Sequence, residues 1–224
     1  MMKIFQVFII VLFSIICFEG KAQKQIKEGR AIYSAAYDIP ADKLQNYGLL
    51  PSEIVIYFRG DSTAAIVNQG DAIIKGVSVL KENYHSMIVD FPAFAKKIFV
   101  LESAAEVEED KKDIPEFTAK KESVNEQING YHCEKITLTE IKSGTAYEIW
   151  VTNDIDIVPN TVSRPVSNFG GVPVKFVTFN HGIMIKAELI QVDESPVATG
   201  FFSPSKEYEK MTLPEFKKFA SGGR

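Results

Sequence analysis

The chain has 224 residues, 46% hydrophobic and 24% charged, the proportions of an ordinary globular protein long enough to bury one sizeable core. Its formal net charge is -4, and no run of Lys or Arg recurs with interleaved aromatics, so the electrostatic footprint of a nucleic-acid binder is missing. Nucleic acid is therefore excluded from the expected partners.

The N-terminus carries the most specific signal. Lys3 supplies a small basic segment, Phe8 to Phe18 is an almost unbroken apolar run, and Gly20-Lys21-Ala22 places small residues at the two positions a signal peptidase reads. Residues 1–22 are thus expected to be a cleaved signal peptide, and residues 23–224 a single periplasmic domain. A membrane anchor is the first alternative, but the apolar run falls short of the ~20 residues that span a bilayer. The second is a lipoprotein signal in which Cys17 is acylated and retained at the outer membrane; Ile15 and Ile16 fit poorly where small residues are expected before it. With Cys17 removed, Cys133 is the only thiol of the mature chain, and no intramolecular disulfide can form. Its position among β-formers predicts a buried, inert cysteine.

Glu28 to Ile39 alternates, with Ala31, Tyr33, Ala35, Tyr37 and Ile39 on one face, and reads as a half-buried strand. Pro40 stops it, and residues 41–50, ADKLQNYGLL, read as a short amphipathic helix closed by Pro51. Strands follow at Glu53 to Arg59, Ser62 to Asn68, Ala72 to Leu80, Ser86 to Phe91 and Lys97 to Leu101, separated by turn signals at even spacing, which is the pattern of a meander. Ser103 to Pro115 is acidic and reads as a solvated loop or a short exposed helix; the regular spacing of a calcium loop is absent. Glu116 to Ser123 resumes β character.

The stretch Gly130 to Asn153 reads as an antiparallel hairpin about Lys142-Ser143-Gly144, near the centre of a sheet. Apolar parity shifts along its first arm, from Tyr131 and Cys133 to Ile136 and Leu138. This predicts either a bulge near Glu134 or a strand covered on both sides. Trp150 reads as a packing anchor. Ile155 to Gly171 is a long connection punctuated by Pro159, Pro165 and Gly170-Gly171; such a loop often carries function, or folds as a short helix over an open sheet end. Val172 to Asn180 and Ile183 to Asp193 form a second hairpin across His181-Gly182, and Thr212 with Glu215 makes a capping box for a helix at Leu213 to Ala220.

Catalytic motifs are missing one by one: no G-x-S-x-G, H-E-x-x-H, C-x-x-C or G-x-x-x-x-G-K-[ST] occurs. His132 and Cys133 are adjacent, so in a strand they point to opposite faces and do not share a metal. The expectation is a protein that is not an enzyme, with no catalytic residue, metal or cofactor.

The signal ending in KAQ, the opening E-G-R-A-I-Y-S, the pair N-G-Y-H-C-E-K-I and Y-E-I-W-V-T-N-D-I, and G-G-V-P-V-K after the long loop resemble exported envelope domains of unknown function related to the GLPGLI-type proteins. These in turn are similar to the LolA/LolB-like superfamily of lipoprotein carriers. The L-P-G-L-I motif itself is missing, which favours the wider unknown-function group. The resemblance implies a mainly β (α+β) fold, an antiparallel curved sheet forming an incomplete half-barrel lidded by short helices, and it carries over no catalytic residue. Two functions follow. One is a periplasmic binding or carrier module for a lipid or lipoprotein acyl chain, its cavity lined by Tyr33, Tyr37, Ile54, Ile56 and Phe58. The other is a structural or protein-interaction component of the cell envelope, in which the same residues pack a filled core.

Overall fold

The computed structural model describes residues 25–39, 50–180 and 182–221. The signal segment with Cys17, all but the last residue of the helix expected over 41–50, and His181 lie outside them. Strands β1 (Glu28–Asp38), β2 (Glu53–Arg59), β3 (Ser62–Gln69), β4 (Ala72–Val79), β5 (Tyr84–Phe91) and β6 (Lys96–Glu102) lead to helix α1 (Ala104–Lys111). Strands β7 (Phe117–Ile128), β8 (Tyr131–Glu140), β9 (Ala146–Thr152), β10 (Val172–Asn180) and β11 (Ile183–Asp193) follow, then β12 (Glu209–Met211) and helix α2 (Leu213–Ala220).

Each run of strands is antiparallel; short turns reverse the chain at most strand ends, and longer connections join β1 to β2 and β9 to β10. Gly60, at φ 57, takes the left-handed conformation that the β2–β3 turn requires. The two meanders meet at a long antiparallel pair of β1 with β11, from Arg30 opposite Asp193 to Asp38 opposite Met184. Among the described residues the result is one twelve-stranded sheet in the order β12-β6-β5-β4-β3-β2-β1-β11-β10-β9-β8-β7, mainly β as expected, with two short α-helices beside it.

The sheet is strongly curved and does not close. Glu102 of β6 and Thr178 of β10 border one hollow, although the strands stand seven places apart in the order. A flat sheet would separate them by ~34 Å at about 4.8 Å per strand. The face they share is therefore the inside of the curl.

Period-two alternation sorts the side chains between the faces. On β2, Ile54, Ile56 and Phe58 point inward and are buried, while their neighbours are partly exposed. They join Tyr33, Leu138, Ile149, Phe176 and Leu189 in the main core. The connection 155–171 lies over this core, with Val166 buried and Val162 and Phe169 packed against it. On the outer face, Ala64, Val77 and Ile88 are covered by Val197 and Phe202. The segment carrying those two residues is strapped down by the Arg59 guanidinium donating to the Val197 carbonyl at 3.0 Å and the Lys75 ammonium to the Phe201 carbonyl at 2.8 Å.

One expectation changes, and two open alternatives are decided. The hairpin β8–β9, read as central, lies beside the edge strand β7. Its apolar richness has another cause: Ile149, Val151 and Thr152 are all buried, so β9 is covered on both sides where the sheet curls. The parity shift on β8 has the same origin, since Cys133 and Ile136 are both buried. The bulge sits on β7 instead, where the register passes from Lys121 opposite Ile136 to Asn125 opposite Glu134. The acidic stretch after β6 resolves into α1, whose Ser103 and Glu106 form a capping box.

Candidate binding cavity

Register decides where the inner face is full and where it is not. Val100, Met87, Gly76, Ala65, Ile56 and Ala31 stand directly opposite one another across β6 to β1. The two small residues in the middle, Gly76 and Ala65, leave room that their larger neighbours would fill. A hollow of about 330 Å³ lies there. Ile54, Val67, Ile74 and Met87 supply apolar wall from the first meander, Tyr37 from β1, and Ile183 and Ile185 from β11.

The roof comes from the long connection. Asn160 is buried, and its Oδ1 accepts the backbone N–H groups of Val162 and Ser163 at 3.0 and 3.2 Å, while its own N–H donates to Ser163 Oγ at 3.2 Å. This turn sets Thr161 over Gly76: a Cβ at residue 76 would come within 3.5 Å of Thr161 Oγ1. One backbone thus crosses the inside of the curl above its smallest residue.

Beside the apolar wall runs a polar row. Glu102, His85, Ser78 and Thr63 are mutually opposite on β6 to β3. Ser78 Oγ and His85 Nδ1 are 3.1 Å apart, and Thr63 Oγ1 is fully buried without a hydrogen-bond partner among the described residues. Glu102 and Asp110 carry the only charges on the described lining of the hollow. Burial, and then Asp110, push the Glu102 carboxyl above the usual carboxylate range. Burial, and then the cations Arg164 and Lys111, push His85 down.

A second, wider cleft of about 700 Å³ is bordered by α1 and the connection and lined by His85, Lys111, Asn160, Arg164 and Phe117 among others. Phe117 lines the cleft and Phe179 the hollow, and their ring centroids are 5.8 Å apart.

Of the five residues proposed from sequence, Tyr37 and Ile54 line the hollow. Tyr33, Ile56 and Phe58 belong to the packed core and do not border it on the described lining. The Tyr33 hydroxyl donates to the Pro173 carbonyl at 3.1 Å, and its ring meets Phe176 edge-on at 5.8 Å. Sequence reasoning missed Ala65 and Gly76. The signal was present: the turn at Asn68-Gln69-Gly70 fixes the β3–β4 register and sets the two small residues opposite each other.

Other chemistry-bearing groups stand apart. Cys133 is 1% exposed, and burial pushes its thiol up to about 11. His132 is exposed, its backbone N–H donating to Asp154 Oδ2 at 2.8 Å. Among the described residues no group of three or more His, Cys, Asp or Glu side chains is placed to hold a metal ion.

Residues 81–161 match a family described as a domain of unknown function, DUF4412. The matched segment spans one wall and part of the roof of the hollow, from Ser86 through Glu102 and Asp110 to Thr161; Ala65 and Gly76 lie outside it. No curated protein matches the chain. Among solved structures, one described as PNGF-II in the C2 space group is similar at 14% identity, with a TM-score of 0.54. The similarity covers 88% of this chain and 33% of that one, so the chain spans about a third of that protein's length. At this identity the likeness is one of fold.

Proposed function

We propose that the protein is a non-enzymatic binding or carrier module of the cell envelope, exported to the periplasm through residues 1–22. In this reading it holds an apolar ligand, such as a lipid or lipoprotein acyl chain, in the hollow beside Ala65 and Gly76. The observation that carries the reading is that hollow: about 330 Å³ of space with mainly apolar walls, within a face that is otherwise packed. Its size is at the lower end of the ~300–1,000 Å³ of small-molecule sites, which are likewise apolar with a few placed polar groups. A curved open sheet with an apolar inner face is also what the LolA/LolB-like resemblance implies, and that relationship belongs to the proposal.

A second reading is favoured by the full burial of Tyr33, Ile56 and Phe58. There the inner face is a filled core, the hollow is a packing defect, and the protein is a structural or interaction component of the envelope. Ile74 separates the two, because it is only partly buried and borders the hollow. In the carrier reading, Ile74→Trp abolishes binding of a fluorescent fatty acid while the protein melts near the wild-type temperature. If wild-type protein binds no such probe and carries no lipid detectable by native mass spectrometry of an envelope preparation, the carrier reading fails and the structural one stands.

A further inference from the structure

Among the described residues Phe94 is the most exposed large hydrophobic side chain, at 73%. It belongs to a run without a polar side chain, Phe91-Pro92-Ala93-Phe94-Ala95, whose last four residues are all exposed. Pro92–Phe94 is a single turn of 3-10 helix, closed by the Ala95 N–H donating to the Pro92 carbonyl at 3.1 Å. Phe94 is thus presented by an ordered turn. Behind it, the Phe91 ring stands 6.5 Å from that of Phe94 and 5.7 Å from that of Phe219 on α2. Phe219 is exposed, and so is Ile73, which stands opposite Asp90 at the same rim of the sheet. Scattered apolar residues are ordinary on a protein surface, whereas a contiguous apolar tip marks a contact. Leu80, on the opposite rim, gives the contrast: it is 56% exposed but is followed at once by Lys81 and Glu82.

Shape and charge indicate what covers the tip. A projecting turn suits a partner that deforms around it, as the boundary between lipid headgroups and acyl chains does. Over residues 90–97 and 206–218, with Asp71 of the adjoining β3–β4 turn, six lysines stand against five carboxylates, in a chain whose net charge is -4. Lys96 and Lys97 are held by Glu209 and Glu207, at 2.7 and 2.8 Å. Lys217 and Lys218, immediately before Phe219, are exposed and hold no ion pair among the described residues; Glu106 and Glu102 reach Lys217 only through longer-range charge. Aromatic and basic residues side by side are the composition of a segment that lies on a bilayer. The tip also shares its rim with one end of the hollow. Antiparallel pairing places the β3–β4, β5–β6 and β10–β11 turns on one side of the sheet, and Gln69, Asn180 and Ile183, which flank two of those turns, line the hollow.

We infer that this rim docks on a lipid bilayer, the turn from Phe91 to Ala95 and Phe219 entering the boundary between headgroups and acyl chains and Lys217 and Lys218 meeting lipid phosphates. The docking goes beyond the carrier reading and does not require the hollow to be filled.

The test uses residues 23–224 without added ligand, because the apolar run at 8–18 would itself bind lipid, and two kinds of vesicle: phosphatidylcholine alone, and phosphatidylethanolamine with one quarter phosphatidylglycerol. Wild-type protein is expected to float with both and to prefer the anionic one. Phe94→Ser weakens vesicle affinity about tenfold, as the loss of one buried aromatic side chain supplies, and melts near the wild-type temperature, whereas Leu80→Ser leaves the affinity unchanged. Replacing Lys217 and Lys218 by Gln removes the preference for anionic vesicles. Bromine-labelled acyl chains then locate the contact: they quench Phe94→Trp beyond the baseline set by Trp150, the only tryptophan of the wild type, and do not quench Leu80→Trp beyond it.

No association of the wild type with either vesicle, an equal loss in Leu80→Ser and Phe94→Ser, or equal quenching of the two tryptophan variants would each overturn the docking. A preference for anionic vesicles that survives replacement of both lysines would overturn their part in it. Self-association that Phe94→Ser abolishes, without vesicle binding, would assign the tip to a second copy of the chain instead. Vesicle binding by a protein that takes up no fatty acid would remove the carrier reading and leave the docking; fatty-acid binding without vesicle binding would do the reverse.

Discussion

At the scale of single residues, Glu102 and Cys133 show burial acting on two different groups. Glu102 has its carboxyl raised above the ordinary 4.5 by burial and by Asp110. The folded protein then holds this proton at pH values where the unfolded chain has lost it, so this contribution is fully favourable below the unfolded value and declines as pH rises through the folded one. Glu102→Gln is accordingly expected to raise the melting temperature at neutral pH, to change it little near pH 4, and to flatten the fall between; melts across that range check it. Cys133 should label slowly with a thiol reagent in the native state, because its thiolate is disfavoured and its sulfur covered. Cys133→Ser is expected to lower stability by about 1–3 kcal/mol if the new hydroxyl finds no partner, measured by urea denaturation.

At the scale of elements, strands were easier to read than their surroundings. The meander β2 to β6 is legible because each apolar run is bounded by Gly, Pro or Asn, and those residues also fix the turns. The position of β8–β9 was not legible: apolar residues on both faces read as a central strand, and only the curl of the sheet explains the burial of Thr152 together with Val151. The site was half legible for a related reason. Alternation finds which residues of β1 and β2 face inward, but it does not say which of them the long connection covers. Tyr37 and Ile54 border space, whereas Tyr33 and Phe58 do not. The turn that holds the connection is equally hidden in sequence, because Asn160 acts through its side chain on its own backbone. Asn160→Ala leaves two backbone donors without their acceptor and should lower stability by about 1–3 kcal/mol. It should also weaken probe binding more than Cys133→Ser does, which paired melts and titrations will show.

At the scale of the whole molecule, the sheet has two edges and protects both. The edge strand β7 carries Lys120 and Lys121 and a bulge, and β12 is three residues long, each of which blunts pairing with another chain. The outer face depends on the segment after β11. A chain ending at Asp193 would expose Ala64, Val77 and Ile88, which Val197 and Phe202 cover. Such a truncation is expected to remain β-rich by circular dichroism, to bind a hydrophobic dye and to self-associate. A monomeric, dye-silent product with the full-length melting temperature would show that the strap is dispensable.

The β1–β11 seam has a consequence for the order in which the chain can fold. Arg30 must find Asp193, so a polypeptide made from its N-terminus keeps β1 without its second partner until β11 has been synthesised. Two ribbons, β2 to β6 and β7 to β9, can form early from local turns, yet neither can complete the curl. This long-range step places the protein among slow-folding β topologies, and it leaves the nascent sheet open until β11 arrives.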